Sequence, residues 1–550
     1  MNPRWYTEAV IYSLDVETFA DSNGDGIGDI RGLIGRLDYL SRLGVTCLWL
    51  NPIHPTPGRD DGYDVTDFYG VDPRLGSLGD FAELLYRAGN RGIKVMIDLV
   101  VNHTSDEHPW FIEAADPKSE KHDWYIWSKD EPSDRFQGMV FPGEQKETWT
   151  YHEGAQAWYY HRFYEFQPDL NFANPAVRAE VMKIVGFWLQ LGVAGFRIDA
   201  VPFIIELTEP GNPNSPKDFK FLSDLRAHAQ WLRGDSVLLA EANVEPDQLT
   251  TYFTDDSTSN RLHMLFDFML NGRVALGLAR KDPEPIIDAL RDTPQLPDGG
   301  QWATFLRNHD EIDLSRLTTE QRADVIAEFG PDDNMLLYDR GIRRRLAPML
   351  GGDRRRLELA YSLQFTLRGT PVLRYGDEIG MGENLKLPGR YAIRTPMQWS
   401  GQRNAGFSTA PVKRLVRPPV SGGEFGYETV NVDAHRHDKE SLLNWFERMI
   451  HTLRESPEVG CGTCAHVDVP VPRGVLIHRA DGETGSMVFL HNLCDEPGTI
   501  DLSSLAGEAS DPDQVFADGD YPHLSSPDEL AEIELAGYGY RWIRLRRTSD

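Results

Sequence analysis

The sequence predicts an α/β protein of repeated strand–helix units, either a doubly wound parallel sheet or an eight-stranded barrel, followed by an antiparallel β unit. Three observations carry this expectation. A helix–glycine–strand grammar recurs: "LIGRLDYLSRLGVTCLWLNP" passes from an amphipathic helix through Gly44 into a strand, "FAELLYRAGNRGIKVMIDLVVNH" does so around Gly92, and "PAVRAEVMKIVGFWLQLGVAGFRIDAV" around Gly192. The strands read as nearly continuous apolar runs ("KVMIDLVV", "SVLLAEA", "WATFLRN", "TPVLRYGDE"), the pattern of parallel strands buried on both faces. Polar residues gather where strands end: Asp98, Asn102 and His103; Arg197 and Asp199; Glu241; Asn308, His309 and Asp310. In a barrel those ends face the active site.

In chain order, eight strands are expected near Val10, Val45, Lys94, Gly195, Val237, Met264, Trp302 and Pro371. The helix before the fourth has Asn174 as its cap, Pro175 in its first turn and an apolar stripe of Val177, Val181, Ile184, Val185 and Trp188. Gly192 ends it by allowing positive φ. Two stretches break the grammar. The aromatic-rich segment 103–171 reads as a small domain inserted on the third strand's loop, between barrel parts 1–102 and 172–466. A second insert, about 312–355, follows the seventh strand and reads as a lid. Residues 467–550 carry short alternating runs such as "RGVLIHRA" and "YGYRWIRLRR", a C-terminal antiparallel β domain.

A hydrophobic content of 40% marks an ordered globular chain, and a net charge of −29 excludes a nucleic-acid partner, since nothing basic would release phosphate counterions. "MNPRWYTEAVIYSL" lacks the basic and apolar regions of a signal peptide, and no apolar run approaches the ~20 residues of a membrane span, so no membrane partner and a cytoplasmic location are expected. Of the cysteines, Cys47, Cys461, Cys464 and Cys494, two form a CxxC without a second metal-spaced pair, which reads as reduced structural thiols. The sequence does not set the oligomeric state and is compatible with a homo-oligomer.

In "VAGFRIDAV", strand alternation puts Arg197 and Asp199 on one face, opposite Phe196, Ile198 and Ala200. A buried charge is costly unless paired or used. Asp199, Glu241 and Asp310 each close a separate strand. One such acid is a common helix cap, but three at one barrel rim beside Arg197, His103 and His309 point to carboxylate chemistry.

"DLVVNH", "GFRIDAV", "LLAEAN" and "FLRNHDE" closely resemble, in order, the four signature regions of the α-amylase superfamily, glycoside hydrolase family 13. The resemblance covers about residues 4–410. It implies a (β/α)8 TIM barrel with an inserted B domain and a C-terminal antiparallel β-sandwich. It also implies Asp199 as nucleophile, Glu241 as general acid/base and Asp310 as a stabiliser gripping sugar hydroxyls, with His103 and His309 as donors to the bound glucose. Arg197 would keep the nucleophile ionised and oriented. "RDDGYDVTD" and "RTPMQW" resemble the family's α-glucosidases, where the counterparts of Asp60 and Arg394 close the pocket and the counterpart of Tyr63 forms a platform for the sugar ring. Glu311, directly after Asp310, falls at the pocket mouth under the lid.

"DSNGDGIGD" places side-chain oxygens at Asp21, Asn23, Asp25 and Asp29 with glycines between, a pattern suited to calcium. It resembles the calcium loop of the oligo-1,6-glucosidase and trehalose synthase group, which adds the carbonyl of Ile27. A second, weaker set, Asn102, Asp169, backbone at Phe203 and Ile204, and Glu206, resembles the family's calcium site between barrel and inserted domain. No organic cofactor is implied. "DAVPF", "YDRGIRRRLAPML" and "RTPMQWSGQRNAGFS" resemble the trehalose synthase branch, implying a disaccharide substrate and isomerisation of maltose to trehalose with side hydrolysis; "LRYGDE" and "HMLFDFMLNGRVALGLARK" depart from that branch. An α-glucosidase acting on short α-glucosides is the alternative, and a non-catalytic binding protein the distant one.

Overall fold

The computed structural model describes residues 4–207, 215–255, 260–461, 463–482, 485–508, 511–524 and 526–546. Eight parallel strands close a barrel: β1 (Ile11–Leu14), β2 (Cys47–Leu50), β3 (Lys94–Leu99), β4 (Gly195–Ile198), β5 (Val237–Ala240), β6 (Met264–Phe266), β7 (Gln301–Thr304) and β8 (Thr370–Arg374). Each pairs with its sequence neighbours, and β8 pairs with β1. The closed ring settles the choice between doubly wound sheet and barrel. All eight strands lie where the apolar runs place them.

The interior is filled by Ile11, Trp49, Met96, Leu239, Met264, Phe266 and Val372, among others. At this level β4 contributes Gly195, where a Cβ would stand 2.2 Å from the Val237 carbonyl oxygen. A bare position there lets β4 and β5 close up beneath Arg197. Outside, the helix Pro175–Leu191 begins with Asn174 accepting from the Ala176 N–H and ends at Gly192 with φ 121°. Its whole predicted stripe is buried.

Between β3 and that helix stands a small sheet of Trp127–Ser128, Ala157–Tyr160 and Trp149–His152, in that order. After β7, the pairs Ile312–Asp313, Gly341–Ile342 and Leu336–Leu337 form another, beside the helix Thr319–Phe329, whose N-terminus carries a Thr318–Gln321 capping box. The C-terminal unit is an antiparallel sheet ordered Thr463–His466, Val475–Asp481, Gly485–Asn492, Tyr540–Arg546, Asp511–Ala517, with the pair Gly498–Ile500 and Ile533–Leu535 packed over its own apolar core. Cys47, Cys464 and Cys494 are free thiols; the Cys461 side chain lies outside what the structure describes. Among the described residues no helix is long and apolar enough to cross a membrane.

The C-terminal sheet docks on the barrel helix Arg354–Thr366 through two stacked imidazoles, His478 and His491, with centroids 5.3 Å apart. His491 Nε2 lies 2.9 Å from the Ser362 hydroxyl and His478 Nε2 3.2 Å from that of Thr366, while both Nδ1 atoms are buried without a partner. Burial pushes His478 down to about 3 and His491 well below its ordinary value. Above pH ~6.5 the imidazoles are neutral in both folded and unfolded chains. Below it the unfolded chain takes up protons that the folded chain refuses, losing up to about 1.4 kcal/mol of stability per pH unit for each imidazole. Melting temperatures should therefore fall more steeply from pH 7 to pH 5 in wild type than in His478→Gln. Parallel slopes would show that the pair does not control acid stability.

Candidate active site

The C-terminal ends of the strands open into a cavity of about 780 Å³ lined by Asp60, Tyr63, His103, Asp199, Glu241, His309, Asp310, Glu311 and Arg390. The structure thus brings together every sugar-site residue the sequence points to except Arg197 and Arg394, which stand behind its wall. Arg197, 2% exposed, sits beneath the floor. Its Nη1 donates to Asp199 Oδ1 at 2.5 Å and its Nη2 to Glu241 Oε2 at 2.6 Å, and Asp98 lies 3.4 Å from Nη1. One fork therefore holds the acids of β4 and β5 side by side. The chain leaves Asp199 through Ala200, a non-glycine residue at φ 51°, and turns into the helix Val201–Ile204. That sharp turn lifts the carboxylate into the cavity, a conformation of the kind found at functional sites.

Burial raises Glu241 to about 8, assisted by the charges of Asp199 and Asp310 and opposed by Arg197. Asp98 is likewise raised by burial, to about 7. Asp310 goes the other way: burial alone would raise it, but Arg390, His309 and Arg394 hold it well below the usual carboxylate range. Arg390 Nη1 is 3.1 Å and Arg394 Nη2 2.9 Å from Asp310 Oδ1. His309 Nε2 lies 3.1 Å from Asp310 Oδ2 and 2.7 Å from the Tyr63 hydroxyl, which donates to Asp98 at 3.0 Å. The rings of Tyr63 and His309 are stacked, 5.6 Å between centroids. His103 Nε2 donates to the Tyr63 carbonyl at 2.9 Å. Burial pushes His309 down to about 4 and lowers His103, so both are neutral imidazoles at pH 7.

The expectation that Arg394 closes the pocket with Asp60 is corrected: Arg394 does not line the cavity, and its Nη1 donates to Asp61 at 2.6 Å and its Nε to the His309 carbonyl at 2.8 Å, because it lies on the far side of the 60–63 turn. Asp60 instead accepts from Gln167 Nε2 at 2.8 Å and is raised to about 7 by burial. Arg390 does face the cavity, as do Arg162, Arg316 and Arg340; it donates to Glu311 at 2.9 Å and covers the rings of Phe141 and Tyr338 at 5.1 and 5.2 Å. The basic run Arg343–Arg345 does not reach the pocket; Arg343 donates to the carbonyls of Asn334, Leu387 and Gly389, and Arg344 to Glu383, tying the lid to the segment before Arg390. Phe141 and Tyr338 stack at 4.7 Å, joining the β3 insert to the β7 insert over the cavity. The sequence signal for Arg390 was its place four residues before Arg394; nothing local marked Phe141 or Tyr338.

In the loop 21–29, Asp21 accepts from the N–H groups of Asn23, Gly24 and Gly26, Asn23 from Asp25, and Asp25 from Ile27. These turns curl the loop, and the Ser408 hydroxyl donates to Asp21 at 2.5 Å as well, so both Asp21 oxygens accept twice. Gly26, at φ 104°, could not carry a Cβ, which would stand 2.2 Å from the Arg414 carbonyl oxygen. Asp29 is turned to Ser22 and to the N–H of Gly32, capping the next helix. The donor set is all oxygen, as a hard cation requires. In the other set, Asn102 hydrogen-bonds Asp169, but Glu206 is paired with Arg162 at 2.5 Å, and that guanidinium lies over the Phe203 ring at 4.2 Å, beside Ile204 in the short helix. An arginine already supplies the positive charge there. Among the described residues no three His, Cys, Asp or Glu side chains converge as a metal cluster.

Residues 14–460 match the alpha amylase catalytic domain, and residues 485–544 the C-terminal domain of sucrose hydrolase-like proteins. The chain is 41% identical to the trehalose synthase/amylase of Mycolicibacterium smegmatis over 98% of this chain and 93% of that protein. It is 38% identical to the trehalose synthase of a Pimelobacter species over 99% and 96%. Among solved structures, the α-amylase from H. orenii superposes with a TM-score of 0.77 at 27% identity, covering 98% of this chain and 99% of that one.

Removing the Arg197 guanidinium leaves Asp98, Asp199 and Glu241 buried together without their counter-charge, at a cost of about 3 kcal/mol at pH 8. The folded pKa values of Asp98 and Glu241, already raised, then rise further above the unfolded ones, so stability returns as pH falls and these two take up protons. Denaturant melts of Arg197→Met should show a deficit against wild type that is large at pH 8 and smaller at pH 5.5. An equal deficit at both pH values would mean that Arg197 acts by packing, not charge.

Proposed function

The chain belongs to the α-amylase family, and on that footing we propose that it isomerises maltose to trehalose by moving a glucosyl group within one closed pocket. The observation that carries this reading is the shared fork of Arg197, which sets Asp199 and Glu241 next to each other at the floor of a roofed cavity. Neighbouring carboxyls favour double displacement with retention, which needs them about 5–5.5 Å apart, over the wider inverting arrangement. The near-full-length likeness to proteins named trehalose synthase supports the choice of acceptor.

In the first step the Asp199 carboxylate bonds to the anomeric carbon of the terminal glucose as the bond to the bridging oxygen breaks. Glu241, protonated at neutral pH, gives its proton to that oxygen. Asp310, kept ionised by Arg390 and Arg394, holds hydroxyls of the ring as positive charge develops. The freed glucose turns in the enclosed space and attacks the glucosyl-enzyme with its own anomeric hydroxyl. Glu241 takes that proton and Asp199 leaves. Water in place of the glucose gives hydrolysis, and the roof of Phe141, Tyr338, Arg390 and Glu311 excludes it. Asp60 and Tyr63 close the end against longer chains.

Incubating the pure protein with maltose and resolving trehalose from glucose tests the reading. Trehalose should exceed glucose; glucose alone would make the chain an α-glucosidase. The acid requirement predicts that kcat/KM falls as pH rises through about 8, where Glu241 loses its proton. Glu241→Gln should lose orders of magnitude on maltose but less on α-glucosyl fluoride, whose leaving group needs little acid help. Equal losses on the two substrates would remove Glu241 from that role.

We also propose calcium in the loop of Asp21, Asn23, Asp25, Ile27 and Asp29, where it would fasten the chain after β1. At Asn102, Asp169 and Glu206 a cation competes with Arg162. Stripping metal should lower the melting temperature, and calcium should restore it through linkage. Asp25→Ala should melt at the stripped temperature with or without calcium. A wild-type melt indifferent to calcium, with metal shown absent, rejects the site.

A further inference from the structure

Asp60 and Tyr63 flank a tight turn. Asp61 (φ 49°) and Gly62 (φ 96°) are both left-handed, and the Tyr63 N–H donates to the Asp60 carbonyl at 2.9 Å. This is a type I′ turn, for which Asp-Gly is a preferred pair. It forms a partition. Asp60 and Tyr63 face the catalytic cavity, while Asp61 and Gly62 line a second, polar cavity of about 310 Å³ with Glu17, Arg74, Tyr391 and Arg417. On that far side the Asp61 carboxylate is gripped twice, by Arg394 Nη1 and by Arg417 Nη2. Arg417 lies over the Tyr391 ring at 4.4 Å, donates to Glu17 at 2.6 Å and caps the Arg394 carbonyl at 3.0 Å. Arg394 reaches onward to the His309 carbonyl and to Asp310.

The chain of contacts therefore runs from the β2 side of the pocket, through Asp61, to the β7 side. It does not touch Asp199 or Glu241, which Arg197 holds separately. We propose that Asp61, braced by Arg417, is a positioning residue that fixes the distance between Asp60 on one wall and Asp310 on the other, beside the direct Tyr63–His309 contact, and so sets how tightly the terminal glucose is gripped. The inference rests on the proposed reading of this cavity as a terminal-glucose site.

Asp61→Asn tests it, because Asn tolerates positive φ and keeps the turn. The variant offers one acceptor where two arginines need a carboxylate. KM for maltose should rise about tenfold with kcat reduced less than about threefold, the signature of lost binding in place of lost chemistry. Arg417→Met should do the same from the other end, and Arg417→Lys should recover part of the loss. The double variant Asp61→Asn/Arg417→Met should be no worse than the poorer single one, since both cut one link. A KM that stays at the wild-type value in Asp61→Asn, or single losses that multiply in the double variant, overturns the proposal; should Asp61→Asn not fold, the comparison of Arg417→Met with Arg417→Lys decides it by the same split. A wild type that consumes no maltose would instead overturn the reading of the pocket.

Discussion

The site depends on one buried cation. Arg197 meets Asp98, Asp199 and Glu241 at the top of the barrel interior, where Arg197 and Asp98 are sealed from water and the other two acids reach it only through the cavity. A lone guanidinium there would be prohibitive, and so would the acids without it. One positive charge does not neutralise three carboxylates, so the cluster holds protons: burial raises Glu241 and Asp98 into the neutral range. The proton that catalysis needs is a consequence of this imbalance. Packing serves the same end. Gly195 leaves room beneath Arg197, and the Trp49 ring lies 5.5 Å from its guanidinium.

Asp310 shows what the same rim does with the opposite arrangement. It is more enclosed than Glu241, yet Arg390 and Arg394 both contact it and its pKa falls where that of Glu241 rises. Two carboxyls in one pocket are thus separated into a proton donor and a permanent anion by the number of arginines each meets, which is how paired acids acquire different tasks. The arginines come from one short segment after β8, and Arg394 is itself fixed by Asp61.

The barrel was legible because its causes are local. Apolar runs, capping residues and glycines after helices are written within ten or twenty residues, and all eight strands follow from them. The strand-end acids were legible for the same reason, since alternation alone puts Arg197 and Asp199 on one face. Pairings across the chain were not. Arg394 could have met Asp60 or Asp61, neighbours in sequence that the turn sends to opposite sides of a wall. Arg390 closes on Glu311 across 79 positions, and Phe141 on Tyr338 across nearly 200. No periodicity marks such contacts, and an arginine among prolines reads locally as a surface residue. The occupancy of Glu206 by Arg162 was hidden in the same way.

Enclosure itself follows from where the chain is interrupted. In a ring of eight strands, β3 and β7 stand opposite each other, and these two carry the long insertions. Each insertion leaves the rim at the catalytic end and leans inward, so they meet over the centre at the Phe141–Tyr338 stack. Insertions on adjacent strands would build one wall and leave the other side open to water. The segment after β8 then fills the remaining gap, with Arg390 bridging both aromatic rings while holding Asp310 and Glu311. A single side chain thereby joins roof to reaction centre, so opening the roof and loosening the permanent anion are one event. A displacement of the Phe141–Tyr338 stack would therefore be felt at Asp310, the permanent anion beside the reacting carbon.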